Sequence, residues 1–443
     1  MSNEPPRMST HDTQHSFVPR LRFPEFRTGP AWVQKPLGDL TDPITERVGD
    51  SDCIPFTVTT GEGLISQDEK YGRTIAGNSV KNYYRLQRND FAFNKSATKV
   101  FPQGYIARFR GDERAAVPNS IFTCFRIAVE NVDAAFLDYL FQGNLHGRWL
   151  KDYITVGARA HGALNISDDD LFALPVPLPA GDETLAEQRK IAECLGSLDD
   201  LIAAEGRKLA ALRDHKQGLM QQLFPREGET QPRLRFPEFQ NAGDWNLGRC
   251  RDVAKVLQGY GFPEKHQGNT EGTYPFYKVS DISNAIENGQ RAISDANNYI
   301  DDEVLKVLRA KTVPRGTVIF AKIGEAIRSD RRVVTTRPAV IDNNTAGVKA
   351  LKGKCSDAFL FYLWSNVSLI DHAGGVVPAV SKTSLENVPL SYPPEPSEQQ
   401  HIADCLLSLD ARIAAQVEKL DALRTHKRGL MQQLFPSPED IEA

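Results

Sequence analysis

The sequence EQRKIAECLGSLDDLIAAEGRKLAALRDHKQGLMQQLFP runs from Glu187 to Pro225, and a second version, EQQHIADCLLSLDARIAAQVEKLDALRTHKRGLMQQLFP, runs from Glu398 to Pro436. The two versions are identical at 27 of 39 positions, at an offset of 211 residues. The irregular heptapeptide RLRFPEF also occurs twice, from Arg20 to Phe26 and from Arg233 to Phe239. The chain of 443 residues is therefore a tandem of two units of about 210 residues each.

Two long helices are predicted by the spacing of apolar residues in these segments. Apolar residues follow one another at alternating intervals of four and three, as at the a and d positions of a coiled coil. Polar residues interrupt both patterns at the same two places, Glu205 and Lys216 in the first segment and Gln416 and Lys427 in the second. We therefore predict that the helices pack against each other in antiparallel orientation, with these polar residues pairing across the contact. The predicted contact residues are Ile191, Leu195, Leu198, Ile202, Leu209, Leu212, Leu219, Ile402, Leu406, Leu409, Ile413, Leu420, Leu423 and Leu430.

The ends of these helices are also indicated by the sequence. Thr184 with Glu187, and Ser397 with Gln400, fit the capping-box pattern of a helix N-terminus, and a proline ends each segment. Periodicity alone also allows each helix to pack into the core of its own unit. A stripe of about two apolar residues per heptad is narrow for a core helix, however, and favours a contact between two helices.

The helices separate two longer regions that show no convincing alignment with each other. Short apolar runs beside glycines, such as Val318-Ile319-Phe320, are typical of strands that deliver loops. The predicted boundaries are a first domain over 1–182, with a disordered tail over 1–19, a first helix over 183–225, a second domain over 226–396, and a second helix with a C-terminal tail over 397–443.

Composition limits the classes of protein to which the chain can belong. It is 40% hydrophobic and 25% charged, with a formal net charge of −4, and its N-terminus lacks the apolar core of a signal peptide. No stretch approaches the roughly 20 apolar residues of a membrane span, so we expect a soluble, cytoplasmic protein. The six cysteines form no C-x-x-C pair, and we expect free thiols and no metal site.

Basic residues are concentrated in the two regions that precede the helices, although the whole chain is acidic. Lys70 to Arg126 contains eleven Lys or Arg against three Asp or Glu, and Lys306 to Lys354 contains twelve against three. A solvated basic surface explains either region alone, but two such regions in a repeated arrangement favour two-point binding of a polyanion. The candidate contacts are Lys95, Lys99 and Arg108 in the first region and Lys322, Arg328, Arg331 and Arg332 in the second.

The combination of motifs resembles the specificity subunits of type I restriction-modification enzymes. The resemblance rests on RLRFPEF, on FAFNKS from Phe91 to Ser96 and on the paired E-Q…I-A…L…L-D…Q-Q-L-F-P helices, and it extends over nearly the whole chain from Arg20 onward. It implies an α+β fold class: two mixed α/β target-recognition domains separated by two long antiparallel coiled-coil helices, in a pseudo-twofold tandem repeat. Each domain is expected to bind one half of a bipartite site in double-stranded DNA, through the candidate basic residues, while the helices set the length of the spacer.

The same resemblance implies a noncatalytic subunit that acts with partners. Two modification subunits are expected to dock on the helices and to supply adenine N6-methylation, and restriction subunits are expected to supply translocation and cleavage. The chain itself contains no G-x-x-x-x-G-K phosphate loop and no N-P-P-Y-like tetrapeptide. We predict no catalytic residue and no cofactor in this chain, and expect S-adenosylmethionine, ATP and Mg on the partner subunits.

Two other functions remain open at the level of sequence. A self-contained DNA methyltransferase or nuclease would act on DNA without a partner, which the missing motifs disfavour. A protein-binding scaffold would make the basic regions incidental, and its assembled complex would bind DNA without sequence preference or salt dependence.

The repeated heptapeptide is predicted to be a structural junction. The internal copy begins only eight residues after Pro225, which ends the first helical segment. If the arrangement repeats, the N-terminal copy packs near the end of the second helix. We therefore predict that Phe23 and Phe26 lie close to the segment from Leu430 to Phe435, with Phe-Pro-Glu-Phe as an apolar anchor.

Overall fold

The chain folds into two compact units. The computed structural model describes residues 17–59, 63–98, 100–154, 164–226 and 228–436. Unit 1 comprises Met1–Ile202 and Ala422–Ala443, and unit 2 comprises Ala203–Asp421. Within the described residues, no helix combines the length and the apolar character needed to cross a membrane.

Unit 1 is a mixed α/β structure that ends in the first long helix. Its strands are β1 (Val33–Pro36), β2 (Thr41–Pro43), β3 (Ile54–Thr59), β4 (Gly63–Ser66), β5 (Tyr84–Leu86), β6 (Phe91–Asn94), β7 (Tyr105–Arg108), β8 (Ala115–Val117), β9 (Phe122–Ile127) and β10 (Pro175–Leu178). Its helices are α1 (Gln67–Tyr71), α2 (Ala134–Gln142), α3 (Leu145–Leu150), α4 (Asp168–Phe172) and the start of α5 (Thr184–Leu223).

The central sheet of unit 1 has the strand order β2-β9-β6-β7, and its neighbouring strands are antiparallel. A second sheet has the order β4-β3-β8-β5, and β1 pairs with β10 separately. The sequence Phe91-Ala92-Phe93 in β6 is apolar throughout because both faces of the strand are covered. The two phenylalanines pack in the cluster that contains α2, and Ala92 packs in the cluster that contains Phe56 of the second sheet.

Unit 2 is also a mixed α/β structure. Its strands are β11 (Asn246–Arg249), β12 (Ala254–Gln258), β13 (Tyr274–Tyr277), β14 (Ala292–Ile293), β15 (Tyr299–Ile300), β16 (Val318–Ala321), β17 (Arg332–Thr335), β18 (Val340–Ile341), β19 (Thr345–Ala350) and β20 (Pro389–Tyr392). Its helices are α6 (Cys250–Val253), α7 (Val279–Glu287), α8 (Asp302–Val307), α9 (Asp357–Ser365), α10 (Lys382–Glu386) and the first part of α11 (Pro396–Leu434).

The two units share a framework that their sequences do not reveal. The central sheet of unit 2 has the order β12-β19-β16-β17-β14, which repeats the order in unit 1 with one strand added. The second sheet, β15-β13-β18, repeats β4-β3-β8, including the parallel pairing of its last two strands. The pair β11-β20 matches β1-β10. The regions between the repeats thus lack sequence similarity but have the same core topology.

Both long helices agree with the sequence prediction, and every predicted contact residue is buried or half-buried. In unit 1, Ile191 and Leu195 of α5 share a core cluster with Leu434 of α11. In unit 2, Leu406 of α11 shares a core cluster with Leu223 of α5. These clusters also contain the central-sheet strands and the short helices α2 and α9, so the helices pack both on each other and into the cores of the units.

The predicted capping boxes are wrong. The hydroxyl of Thr184 donates to the carbonyl of Pro179 at 2.5 Å, and Glu187 is engaged in a buried ion pair described below. In the second helix the Gln400 side chain donates to Asp404 at 2.7 Å. The capping pattern was therefore misleading, because these side chains have tertiary or intrahelical partners.

The prediction of a disordered tail over 1–19 falls mostly outside the described residues. Its last part is ordered, because Phe17 is buried in the core of unit 1 and its backbone pairs with that of Trp32. The prediction was wrong for this residue, whose apolar ring fills space in the same cluster as Trp32.

Candidate nucleic-acid interface

The heptapeptide in unit 1 holds the start of one long helix and the end of the other. The guanidinium of Arg22 donates to both carboxylate oxygens of Glu187 at 2.7 and 2.6 Å, and the Trp32 indole donates to the same carboxylate at 3.2 Å. The backbone N–H of Leu21 donates to the carbonyl of Gln433 at 2.9 Å. We call Arg22, Trp32 and Glu187 clamp 1.

Unit 2 repeats this arrangement. Arg235 donates to both carboxylate oxygens of Glu398, each at 2.7 Å, and the Trp245 indole donates at 3.1 Å. The N–H of Leu234 donates to the carbonyl of Gln222 at 2.9 Å. We call Arg235, Trp245 and Glu398 clamp 2.

The predicted position of the heptapeptide near the helix ends is confirmed for Phe23, which packs against the cluster that contains Leu434 and Phe435. The apolar anchor is uneven, because Phe26 is buried whereas Phe239 is half-buried. Sequence reasoning missed the ion pairs to Glu187 and Glu398. The signal was available, because both glutamates occupy the same position in the repeat.

A second repeated contact joins one short helix of each unit to both long helices. In unit 1, Asp199 accepts from the Tyr139 hydroxyl at 2.8 Å and from Lys427 at 2.6 Å. Burial, reinforced by the bond to Asp199, raises the pKa of Tyr139. This contact ties α2 to α5 and to α11.

The matching residues of unit 2 are Tyr362, Asp410 and Lys216, with both contacts to Asp410 at 2.5 Å. Arg291 is a third neighbour and the second cation, at 3.7 Å from Asp410. Lys216 and Lys427 therefore do pair across antiparallel helix segments, but with aspartates rather than with Glu205 and Gln416.

Glu205 and Gln416 pair with each other instead of with the two lysines. The Gln416 amide donates to the Glu205 carboxylate at 2.6 Å, and Lys419 adds a further ion pair. These bonds, from Lys419 first and Gln416 second, lower the pKa of Glu205. The polar interruptions of the coiled-coil pattern thus act as specific contacts between the helices.

One strand end has the same backbone geometry in both units. The N–H of Lys95, after β6, donates to the carbonyl of Ile121 at 2.9 Å, and its own carbonyl accepts from Leu164 at 2.8 Å. The N–H of Lys322, after β16, donates to Asn344 at 2.8 Å, and its carbonyl accepts from Val380 at 2.9 Å. Each lysine therefore stands at the same edge of an equivalent sheet.

A short helix follows this point in both units. Ser167 caps α4 by accepting from the N–H of Asp170 at 3.0 Å, and Ser381 caps α10 by accepting from Ser384 at 2.9 Å. Asp168 and Lys382 are consequently equivalent first residues of the two helices. We call Lys95, Thr123 and Asp168 the lysine edge of unit 1, and Gln258, Lys322, Asn344 and Lys382 the lysine edge of unit 2.

The two lysine edges differ in chemistry. In unit 1, Asp168 accepts from Lys95 at 2.9 Å and from Thr123 at 2.7 Å. Burial alone would raise the pKa of Asp168, but these bonds outweigh it and lower the pKa. In unit 2, Lys322 donates to the Gln258 amide oxygen at 2.5 Å, and burial lowers the pKa of Lys322. Unit 1 therefore presents an ion pair where unit 2 presents a lysine beside amides.

The other candidate DNA contacts are distributed unevenly. Arg108 lies at the opposite end of the central sheet from Lys95, where it is paired with Asp138 at 3.3 Å, and burial lowers its pKa. Lys99 lies outside the described residues. The candidates of the first region are therefore not brought together on one surface.

In the second region Arg332 is unsuited to contacting DNA. Its side chain is only 5% exposed, it donates to the backbone carbonyls of Val367 and Ser365, and burial lowers its pKa to about 10. Arg331 pairs with Glu287 at 2.9 Å, and Arg328 pairs with Glu325 at 3.0 Å on the surface. Lys322, Arg328 and Arg331 remain candidates, whereas Arg332 is corrected to a structural residue.

The count of basic residues also overstates the charge of the first region. Acidic residues from elsewhere in unit 1 neutralise several of its cations: Glu46 pairs with Arg85, and Asp50 pairs with Lys81. Asp90 is buried and holds Arg126 through two bonds of 2.7 and 2.8 Å. A count along the sequence cannot include partners that only folding brings close.

Comparisons with known proteins agree with this architecture. Residues 242–424 match the type I restriction modification DNA specificity domain family. The chain is 24% identical over 422 residues to a putative type I restriction enzyme MjaX specificity subunit of Methanocaldococcus jannaschii, which covers 91% of this chain and 92% of the relative. It is 23% identical over 345 residues to the MjaIX specificity subunit of the same organism, covering 71% and 74%.

Solved structures show the same fold. The S subunit of a type I restriction-modification system from M. genitalium has a TM-score of 0.55 at 13% identity, covering 95% of this chain and 100% of that chain. A chain from a structure that addresses complex assembly and conformational transition of the type I R-M system has a TM-score of 0.54 at 18% identity, covering 92% and 98%. Over nearly its whole length the chain is therefore similar to specificity subunits of type I restriction-modification systems, and its residues 242–424 match the DNA specificity domain of that family.

Proposed function

We propose that this chain reads DNA sequence for a type I restriction-modification complex, with each unit binding one half of a bipartite site. The observation that carries the proposal is the pair of lysine edges. The same backbone hydrogen bonds fix both edges, yet the side chains on them differ. Two readers of different half-sites need such an arrangement, because bases are distinguished by the hydrogen-bonding groups that face them.

The side chains at the lysine edges suit base recognition. Lysine donates to the O6 and N7 acceptors of guanine, asparagine and glutamine bind adenine through two bonds, and aspartate accepts from the amino group of cytosine. On this basis Lys95 and Asp168 are the proposed readers in unit 1, and Gln258, Lys322 and Asn344 in unit 2. Exposed cations near the edges would contact phosphates and make binding dependent on salt.

The long helices are proposed to set the spacer between the half-sites and to provide the docking surface for modification subunits. Three ionic contacts fix the helix segments against each other: Lys427 with Asp199, Lys216 with Asp410, and Glu205 with Lys419. A fixed register suits an element whose length determines a distance. In this proposal the chain carries no catalytic group, and its partner subunits supply methylation and cleavage.

Mapping methylated adenines tests the proposal. DNA from cells that express the chain with its modification subunits should carry a motif of two short blocks separated by a fixed gap. Lys95→Gln should relax or change one block only, and Lys322→Gln the other. Lys352→Gln is a matched control, because Lys352 is exposed and follows the opposite end of β19 from Asn344. A single continuous motif, or equal effects of both variants on both blocks, would contradict the proposal.

A further inference from the structure

A turn beside the lysine edge of unit 2 exposes two neighbouring apolar side chains. Val376 is fully exposed and Val377 is 62% exposed. Among the exposed large apolar residues in the described part of the chain, these two alone are adjacent in sequence. Turns are usually built from glycine, proline, asparagine, aspartate or serine, since valine gains nothing from exposure there. The folding of unit 2 therefore does not account for this valine pair.

The turn is held in a defined position. Gly374 and Ala379 exchange two backbone hydrogen bonds of 3.0 and 3.1 Å, and Gly375 takes a positive φ of 89° that valine would adopt poorly. The carbonyl of Pro378 accepts from Gly324 at 2.8 Å, and Val380 donates to the carbonyl of Lys322 at 2.9 Å. The valines are thus presented on a fixed backbone that is attached directly to the lysine edge.

The neighbourhood of the turn favours DNA as its occupant. The backbone of Lys322 bonds to Val380, which follows the turn, and Lys382 is exposed two residues further along the chain. Asn344 is exposed on the same edge. Cations and amides match phosphates and base edges, but they leave an apolar pair without a partner. In the major groove the C5-methyl group of thymine is the apolar feature that a side chain contacts.

We propose that Val376 and Val377 recognise thymine by contacting its methyl group in the half-site bound by unit 2. This inference rests on the proposed function, and it adds a residue pair that distinguishes an A·T pair from other pairs without a hydrogen bond. Burying one methyl group corresponds to about a fourfold change in affinity. The corresponding segment of unit 1 precedes Leu164 and lies outside the described residues.

Thymine-to-uracil substitution tests the contact directly, because uracil lacks only the methyl group. The full chain, assembled with its modification subunits, is titrated with duplexes in which deoxyuridine replaces thymidine at one position of the half-site at a time. The expected result is about a fourfold loss of affinity at one or two positions. The double variant Val376→Ala/Val377→Ala should lose affinity for the thymine duplex and should no longer respond to uracil.

Val307→Ala is the matched control, since Val307 is a 64% exposed valine on α8 of the same unit. It should bind both duplexes as the unsubstituted chain does. The inference is overturned if uracil has no effect at any position, or if the double variant binds the thymine duplex normally. It is also overturned if the double variant fails to assemble with modification subunits in size-exclusion chromatography, because the turn would then be a protein contact.

Lys322→Gln separates this inference from the proposed function. If Lys322→Gln weakens binding and the valine variant does not, only the thymine contact fails. If neither variant changes DNA binding by the assembled complex, the lysine edge is not the interface, and both proposals fail.

Discussion

The lysine edges of the two units have the same backbone hydrogen bonds but carry different charges. In unit 1 the short helix α4 begins with Asp168-Asp169-Asp170, and Lys95 is neutralised by the first of them. In unit 2 the equivalent helix α10 begins with Lys382-Thr383-Ser384, and Lys322 has an amide partner instead of a carboxylate. The side chains of the edge therefore differ between the two units, whereas the backbone framework that supports them is the same.

The clamps, unlike the lysine edges, are the same in both units, and their burial gives the reason. Both ion pairs are almost completely buried, with side-chain exposures of 6% and 3% for Arg22 and Glu187 and of 9% and 1% for Arg235 and Glu398. Replacing one partner would leave an uncompensated charge inside the protein. Lys95 and Asp168 are 25% and 60% exposed, so water can compensate a change there. Burial thus separates the positions that preserve the fold from those that are free to diversify.

The largest expected effect comes from breaking a clamp. Arg22→Met and Arg235→Met should each lower the free energy of unfolding of their own unit by about 3–5 kcal/mol, because a buried glutamate loses its cation. Hydrogen exchange monitored by mass spectrometry would report each unit separately. Arg20→Met and Arg233→Met are matched controls, since these heptapeptide arginines are exposed and should change stability by no more than about 0.5 kcal/mol. Unequal losses of unfolding free energy would show that the two clamps do not stabilise their units equally.

A smaller and unequal effect is expected at the helix contacts. Asp199→Asn and Asp410→Asn should each cost about 1–3 kcal/mol, the usual range for hydrogen bonds to a charged group. The loss should be greater for Asp410, which is 18% exposed and has Arg291 as an additional neighbour, than for Asp199, which is 34% exposed. Urea unfolding of each variant measures the difference, with the exposed Asp200→Asn as a control. Identical losses would show that Arg291 adds nothing.

Exchanging charge between the lysine edges should change the salt dependence of DNA binding. Asp168→Lys adds a cation in unit 1 and also frees Lys95 from its ion pair, so the slope of log affinity against log salt should become steeper by about 0.9 for each of these cations that gains a phosphate contact. Lys382→Asp in unit 2 removes one cation and should make the slope shallower by about 0.9. Fluorescence anisotropy with a duplex carrying both half-sites measures both slopes. If Lys352→Asp changes the slope as much as Lys382→Asp does, the effect reflects net charge rather than the edge.

The smallest effect concerns pH. Because burial lowers the pKa of Lys322, this lysine loses its proton at a lower pH than a free lysine does. Binding to the half-site read by unit 2 should therefore weaken on the alkaline side before the general loss of lysine charge. Lys322→Arg, which keeps its charge, should remove this early decline. Titrating binding between about pH 8 and 10, around the ordinary lysine pKa, tests the prediction, and an unchanged profile for Lys322→Arg would refute it.

Repeats and periodicity predict the parts of the structure that depend on local sequence. The presence of both long helices, their apolar periodicity and the position of the heptapeptide could be read from the chain, because similar segments meet similar surroundings. The shared central sheet could not be read, since strands that are buried on both faces accept many apolar sequences. For the same reason the equivalence of Lys95 and Lys322 becomes visible only through their backbone hydrogen bonds.

Candidate site residues were predicted less well than the fold. Basic residue type and local charge selected Lys95 and Lys322, but they also selected Arg332, which is buried, and Arg108, which lies at the other end of its sheet. They did not select Gln258, Val376 and Val377, which we propose as further contacts and whose relation to Lys322 depends on contacts distant in sequence. Charge along a chain does not indicate which side chains are exposed or which acidic residues neutralise them.

The sequence by itself determined that two similar units alternate with two long amphipathic helices, because 3.6-residue periodicity and near-identical repeats are properties of neighbouring residues. Only the tertiary structure decided which charges are buried as clamps and which are exposed at the sheet edges. An ion pair such as Arg22 with Glu187 joins residues 165 positions apart, and its burial depends on the core that forms around it. The local sequence does not predict such a pair, because the energy of a buried ion pair depends on desolvation and on a geometry that exist only in the folded chain.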